Sequence, residues 1–121
     1  MESTHKKKIL IFIDWYRPAY LAGGPIQSVF NMVNALEKDY FFYICTSNSD
    51  IGSGNELEGI TPNKWLKSSS NSEVIYLSAK NRTKKNFLSI LKNQEFESIY
   101  FNSLFSFKFS LLPLFLAKKL N

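Results

Sequence analysis

Gly23, Gly24 and Pro25 stand together where a helix-periodic segment begins, shortly after the apolar run Ile9 to Ile13. A glycine-rich turn that opens a helix after a first strand is suited to holding an anion. The helix N-terminus offers free N–H groups and partial positive charge, and a residue without a Cβ lets the backbone come close. The chemistry implied is phosphate binding. Asp14, Tyr16 and Arg17 lie in the stretch ahead of the glycines. An arginine there can pair with phosphate through two parallel bonds or stay a solvated loop charge. Asp14 can meet a ligand hydroxyl or simply cap loop N–H groups at a strand end. Trp65 sits in a polar context, where its ring can stack on a sugar or anchor a long loop. Asn102 and Ser103 fall at the end of a later strand, and open α/β sheets bind ligands at the carboxyl ends of their strands.

Other chemistries find less support. The dinucleotide fingerprint places its glycines about two residues after the strand, whereas nine residues, Trp15 to Gly23, precede Gly24 here. The second glycine cluster, Gly52-Ser53-Gly54, has Leu57 where a third glycine belongs, and there is no GK[ST] phosphate loop. No His/Cys/carboxylate group has metal-ligand spacing, so neither a metal nor a cofactor is expected. Cys45 reads as a small core hydrophobe inside a strand, and His5 as a surface residue of a basic tail.

The elements that position these residues follow from the hydropathy pattern. Lys8 to Asp14 is apolar on both faces, as in a central parallel strand. Ile26, Val29, Phe30, Val33 and Leu36 recur at helical spacing, with Pro25 suited to the first helical position. Tyr40 to Thr46 is a second strand, Ser47 to Asn63 a polar loop, and Val74 to Leu77 a third strand. Thr83 can cap a helix carrying Phe87, Leu88 and Leu91. Ser98 to Asn102 is a fourth strand. Ser106 to Leu120 is a final helix that Pro113 kinks or starts. This alternation predicts an α/β fold: a Rossmann-like parallel sheet in the order 3-2-1-4 with flanking helices. Residues 1–7 form a basic tail, and residues 8–121 one domain, which the resemblance described below implies is partial.

With 121 residues and 45% hydrophobic content, the chain has enough apolar material for one packed core. A single cysteine excludes an intrachain disulfide and suits a reducing compartment. The apolar run after Lys6-Lys7-Lys8 is too short for a secretory signal. The stretch Leu104 to Ala117, interrupted by Lys108, falls short of the roughly 18 residues a membrane span needs. The expected location is the cytoplasm, with peripheral contact at the inner face of the plasma membrane as an option. Residues 1–60 carry five Lys/Arg against seven Asp/Glu, and residues 61–121 ten against three. The basic half is either a solvated surface or one that attracts anionic lipid or substrate. Scattered lysines without a binding motif argue against nucleic acid.

The segment Gly23 to Leu36 (GGPIQSVFNMVNAL), Asn63-Lys64-Trp65 and Ile99 to Ser106 (IYFNSLFS), in this order, resemble the N-terminal domain of family 4 retaining glycosyltransferases of bacterial polysaccharide synthesis. The resemblance implies an incomplete GT-B N-terminal domain. It implies Gly23 and Gly24 at the donor diphosphate, and Asp14, Tyr16, Arg17, Trp65, Asn102 and Ser103 on the acceptor side. The implied partners are a nucleotide-diphosphate sugar and a glycan or lipid-linked acceptor. In such enzymes the nucleotide site lies mainly in a second domain, so a fragment inactive on its own is expected. In full-length relatives later strands cover the fourth strand, so self-association through an exposed sheet edge is expected here. Asn102 stands near where many relatives place a histidine. Two other readings stay open. One is a non-catalytic basic α/β module docking on a partner protein or membrane. The weaker one is a phosphoacceptor receiver domain, which would need a paired acid where Trp15 stands and an Asp where Ser78-Ala79 stand.

Overall fold

The computed structural model describes residues 6–21, 23–52 and 55–102. The elements are β1 (Lys7–Phe12), α1 (Gly24–Leu36), β2 (Tyr40–Ser47), β3 (Trp65–Ser69), β4 (Ser72–Leu77), a short 3₁₀ turn at Ala79–Asn81, α2 (Lys84–Lys92) and β5 (Ser98–Phe101). They build an α/β fold around a mostly parallel sheet of five strands among the described residues, in the order β3-β4-β2-β1-β5. β1 pairs in parallel with β2 and with β5, placing Phe12 opposite both Cys45 and Phe101. β2 pairs in parallel with β4.

A core on each face explains why β1 and β2 are apolar through residues 9–12 and 40–45. Side chains alternate across a strand. Ile11, Phe42, Ile44, Val74 and Tyr76 therefore join Ile26, Val29 and Val33 of α1 on one face. Leu10, Phe12, Tyr43, Cys45, Ile75 and Leu77 join Phe87, Ile90 and Leu91 of α2 on the other. Each such buried side chain contributes about 1.5–3 kcal/mol. Phe12 stacks on Phe101 at 5.4 Å and meets Phe87 edge-on at 5.9 Å, tying β1, β5 and α2 together.

Four expectations are corrected. The sheet is not wholly parallel, because β3 runs antiparallel to β4 at its outer side. Only Ser70 and Asn71 join them, and so short a connection permits only a hairpin. Pro25 is the second residue of α1, since the helix begins at Gly24. Leu36 is 37% exposed and Phe30 only half-buried, so the core stripe of α1 is narrower than its sequence suggested. β1 starts at Lys7, inside the expected tail. His5, Ser103, Pro113 and the expected helix Ser106 to Leu120 lie outside the described residues. No helix among the described residues is long and apolar enough to cross a membrane.

Candidate functional site

The loop from Asp14 to Gly23 leaves the carboxyl end of β1 and is held from below and from the side. Tyr16 and Ala19 are buried, with 2% and 1% exposure, in the same cluster as Ile26 and Val29. The Tyr76 hydroxyl, rising from β4, donates to the Arg17 carbonyl. Asp50 closes the loop from the other side. Its carboxylate accepts from the backbone N–H of Tyr20 at 2.9 Å, of Leu21 at 3.1 Å and of Ile51 at 2.8 Å. Burial alone would raise the Asp50 pKa, but the N–H donors of Tyr20, Ile51 and Leu21 outweigh it and hold the carboxyl below its usual range. Burial pushes the Tyr76 hydroxyl up to about 12. Burial, with Tyr76 adding and Arg17 opposing, does the same for Tyr16.

The loop ends in a turn, Gly23 N–H to Tyr20 carbonyl at 3.0 Å, that delivers the chain to the start of α1. Gly23 has φ +67° and ψ −107°, a conformation that excludes side chains. Its carbonyl accepts the Gln27 N–H, the first bond of the helix. Among the described residues no side chain caps α1, and no acid lies in its first turn. The N–H groups of Gly24 and Ile26 precede the first intrahelical donor, Gln27. A Cβ built on Gly23 or Gly24 would meet no atom of the described residues within 4 Å. Both glycines line an open cavity of about 640 Å³, together with Arg17, Tyr20 and Gln27. The Arg17 guanidinium lies 3.9 Å above the centre of the Phe30 ring, which steadies an otherwise exposed cation.

The expected site residues are partly assembled. Arg17, Gly23 and Gly24 share the cavity. Asp14 and Asn102 sit at the carboxyl ends of adjacent strands, where the Asn102 N–H donates to the Phe12 carbonyl at 3.0 Å. The Asp14 carbonyl accepts from the Ser47 N–H and hydroxyl, at 3.3 and 2.7 Å. The Asp14 charge acts on Arg82, whose pKa burial lowers while Cys45 and Asp14 oppose the shift. Tyr16 is a core residue beneath the loop and presents no ring to the cavity, because the loop needs an apolar anchor of its own. Trp65 packs against the cluster on the α2 face of the sheet, the face opposite α1. Three residues escaped the sequence reading: Asp50, Tyr76 and Arg82. Asp50 is one polar residue in a polar loop, and nothing local distinguishes it. Among the described residues no cluster of His, Cys, Asp and Glu could hold a metal ion.

The mostly parallel α/β sheet, with a glycine turn at the first helix, is consistent with a Rossmann-like α/β fold. Compared with family models, curated proteins and solved structures, the chain gives no match. The functional reading therefore rests on the geometry and on the sequence motifs.

Proposed function

We propose that this chain is the acceptor-side part of a retaining glycosyltransferase with GT-B architecture, in which the Gly23–Gly24 turn receives the diphosphate of a nucleotide sugar. One observation carries the reading. Two glycines without neighbours at their missing Cβ positions front a cavity, at an uncapped helix N-terminus beside Arg17. Backbone N–H groups approach the phosphate oxygens, the helix dipole favours the charge, and Arg17 leaves Phe30 or shares it while pairing with the anion. The protein then supplies position and charge stabilisation, and the donor phosphate itself helps deprotonate the acceptor hydroxyl. Asp14 and Asn102, at the strand ends, face a glycan or lipid-linked acceptor.

Amide NMR of the chain titrated with uridine diphosphate tests this. Gly23, Gly24 and Ile26 are expected to shift with the diphosphate and not with uridine. Gly24→Val is expected to abolish the shifts at an unchanged melting temperature. Equal shifts with uridine, or none from a folded chain, would refute it and leave a non-catalytic docking module as the better account.

A further inference from the structure

On the opposite face of the sheet a second cavity, of about 320 Å³, lies between α2 and the β3–β4 hairpin. Its volume is within the range of about 300–1,000 Å³ typical of small-molecule sites. Asn63, Asn81, Asn86, Ser89 and Asn93 line it, and Trp65 forms one wall. Among the described residues no charged side chain lines it, although Lys80, Arg82, Lys84, Lys85 and Lys92 all belong to the same stretch of chain. An anionic ligand would find no counter-charge among those residues.

The polar groups are set in place. Asn63 adopts φ 65°, and its N–H donates to the Tyr76 carbonyl at 2.8 Å. Its side chain accepts the Ser78 N–H at 3.0 Å and donates to the Ser78 hydroxyl at 3.2 Å. Asn86 donates to the Asn81 carbonyl at 2.9 Å, which leaves its oxygen to accept. Asn86 and Ser89 of α2 and Asn93, the residue that caps its C-terminal end, are spaced by three and four residues and so fall along one stripe. Trp65 meets Tyr43 edge-on at 5.3 Å and 86°, which fixes the indole beside this stripe. Leu77 and Ile90 give the cavity an apolar floor.

Carboxamides and hydroxyls both donate and accept. Arrayed around an indole and an apolar floor, without charge, they match a ligand whose hydroxyls also do both and whose ring faces are C–H surfaces. We infer that this cavity is a binding site for a neutral sugar ring. The inference rests on the lining alone and holds whether or not the glycine turn receives a nucleotide.

The test is NMR titration of the whole chain with the methyl glycosides of glucose, galactose and N-acetylglucosamine, with glycerol and inorganic phosphate as controls. At least one glycoside is expected to give saturable shifts of the Trp65 indole N–H and the side-chain amides of Asn63, Asn86 and Asn93. The amides of Gly23 and Gly24 stay unmoved, which separates this site from the nucleotide site. Asn93→Ala, at the exposed end of α2, is expected to weaken binding about tenfold, the loss of one or two hydrogen bonds. Trp65→Phe, which keeps an aromatic contact to Tyr43, is expected to weaken it less. No saturable shift from any glycoside up to about 100 mM, equal shifts with glycerol or phosphate, or unchanged affinity in folded Asn93→Ala would overturn the inference.

Discussion

Gly23 and Gly24 are neighbours with different physical roles. At φ +67° Gly23 occupies backbone space that L side chains rarely enter, so Gly23→Ala is expected to cost about 1–3 kcal/mol even though its Cβ has room. Gly24 has ordinary helical geometry and the same open surroundings, so Gly24→Ala should change stability by less than about 1 kcal/mol. Urea denaturation of the two variants reads the difference, and equal costs would contradict it. Thr46 is a contrasting residue. Its side chain is fully buried in β2, and among the described residues its hydroxyl has no hydrogen-bond partner. Thr46→Val removes that desolvated group at nearly constant shape. A gain of about 1 kcal/mol in unfolding free energy is expected.

At the scale of elements, α2 depends on its first turn. Thr83 is extended, and its hydroxyl accepts the Asn86 N–H at 3.3 Å. Thr83→Ala is expected to cost about 1 kcal/mol, read as a lowered melting temperature, with Thr83→Ser recovering most of it. This cap was legible because Thr83 precedes Phe87, Leu88 and Leu91 at helical spacing; in the structure Ile90 joins Phe87 and Leu91 in the core, and Leu88 is only partly buried. β1 and β2 were legible for the opposite reason: packed on both faces, they are apolar through residues 9–12 and 40–45. β3 was not. Its sequence WLKSS has two apolar residues and two serines, which locally resembles a loop. It becomes a strand only because β4 offers a free side and Ser70-Asn71 turn the chain back. The glycine turn could be read from its residue types and its place before a helix. The Asp50 clamp could not, because its partners are backbone N–H groups about 30 residues away, and backbone groups leave no mark in a sequence.

At the scale of the whole molecule, the loop that fronts the cavity is sensitive to pH from both directions. The Asp50 carboxyl titrates lower folded than its unfolded reference of about 3.9. Its contribution is therefore complete above that value and disappears as pH falls through the folded pKa. Tyr16 and Tyr76 titrate higher folded, at about 12 against a reference of about 10. Their contribution is complete below pH 10 and is lost as pH rises toward 12, because the unfolded chain ionises them first. Stability should thus be flat between about pH 5 and 9 with respect to these groups and decline on either side. Asp50→Asn is expected to flatten the acid limb. It should also lower neutral stability by about 1–3 kcal/mol, since an amide accepts the three N–H groups less strongly than a carboxylate does. Tyr76→Phe is the matching test on the alkaline side. It removes the bond to the Arg17 carbonyl, at a cost of about 1 kcal/mol at neutral pH. It also deletes one of the two late-titrating hydroxyls, so spectrophotometric titration should lose one tyrosine from the group near 12 and the alkaline decline should become shallower. If Tyr76→Phe leaves the alkaline limb and the late-titrating absorbance unchanged, the Tyr76 hydroxyl does not ionise with the loop and its bond to Arg17 does not hold that loop in place.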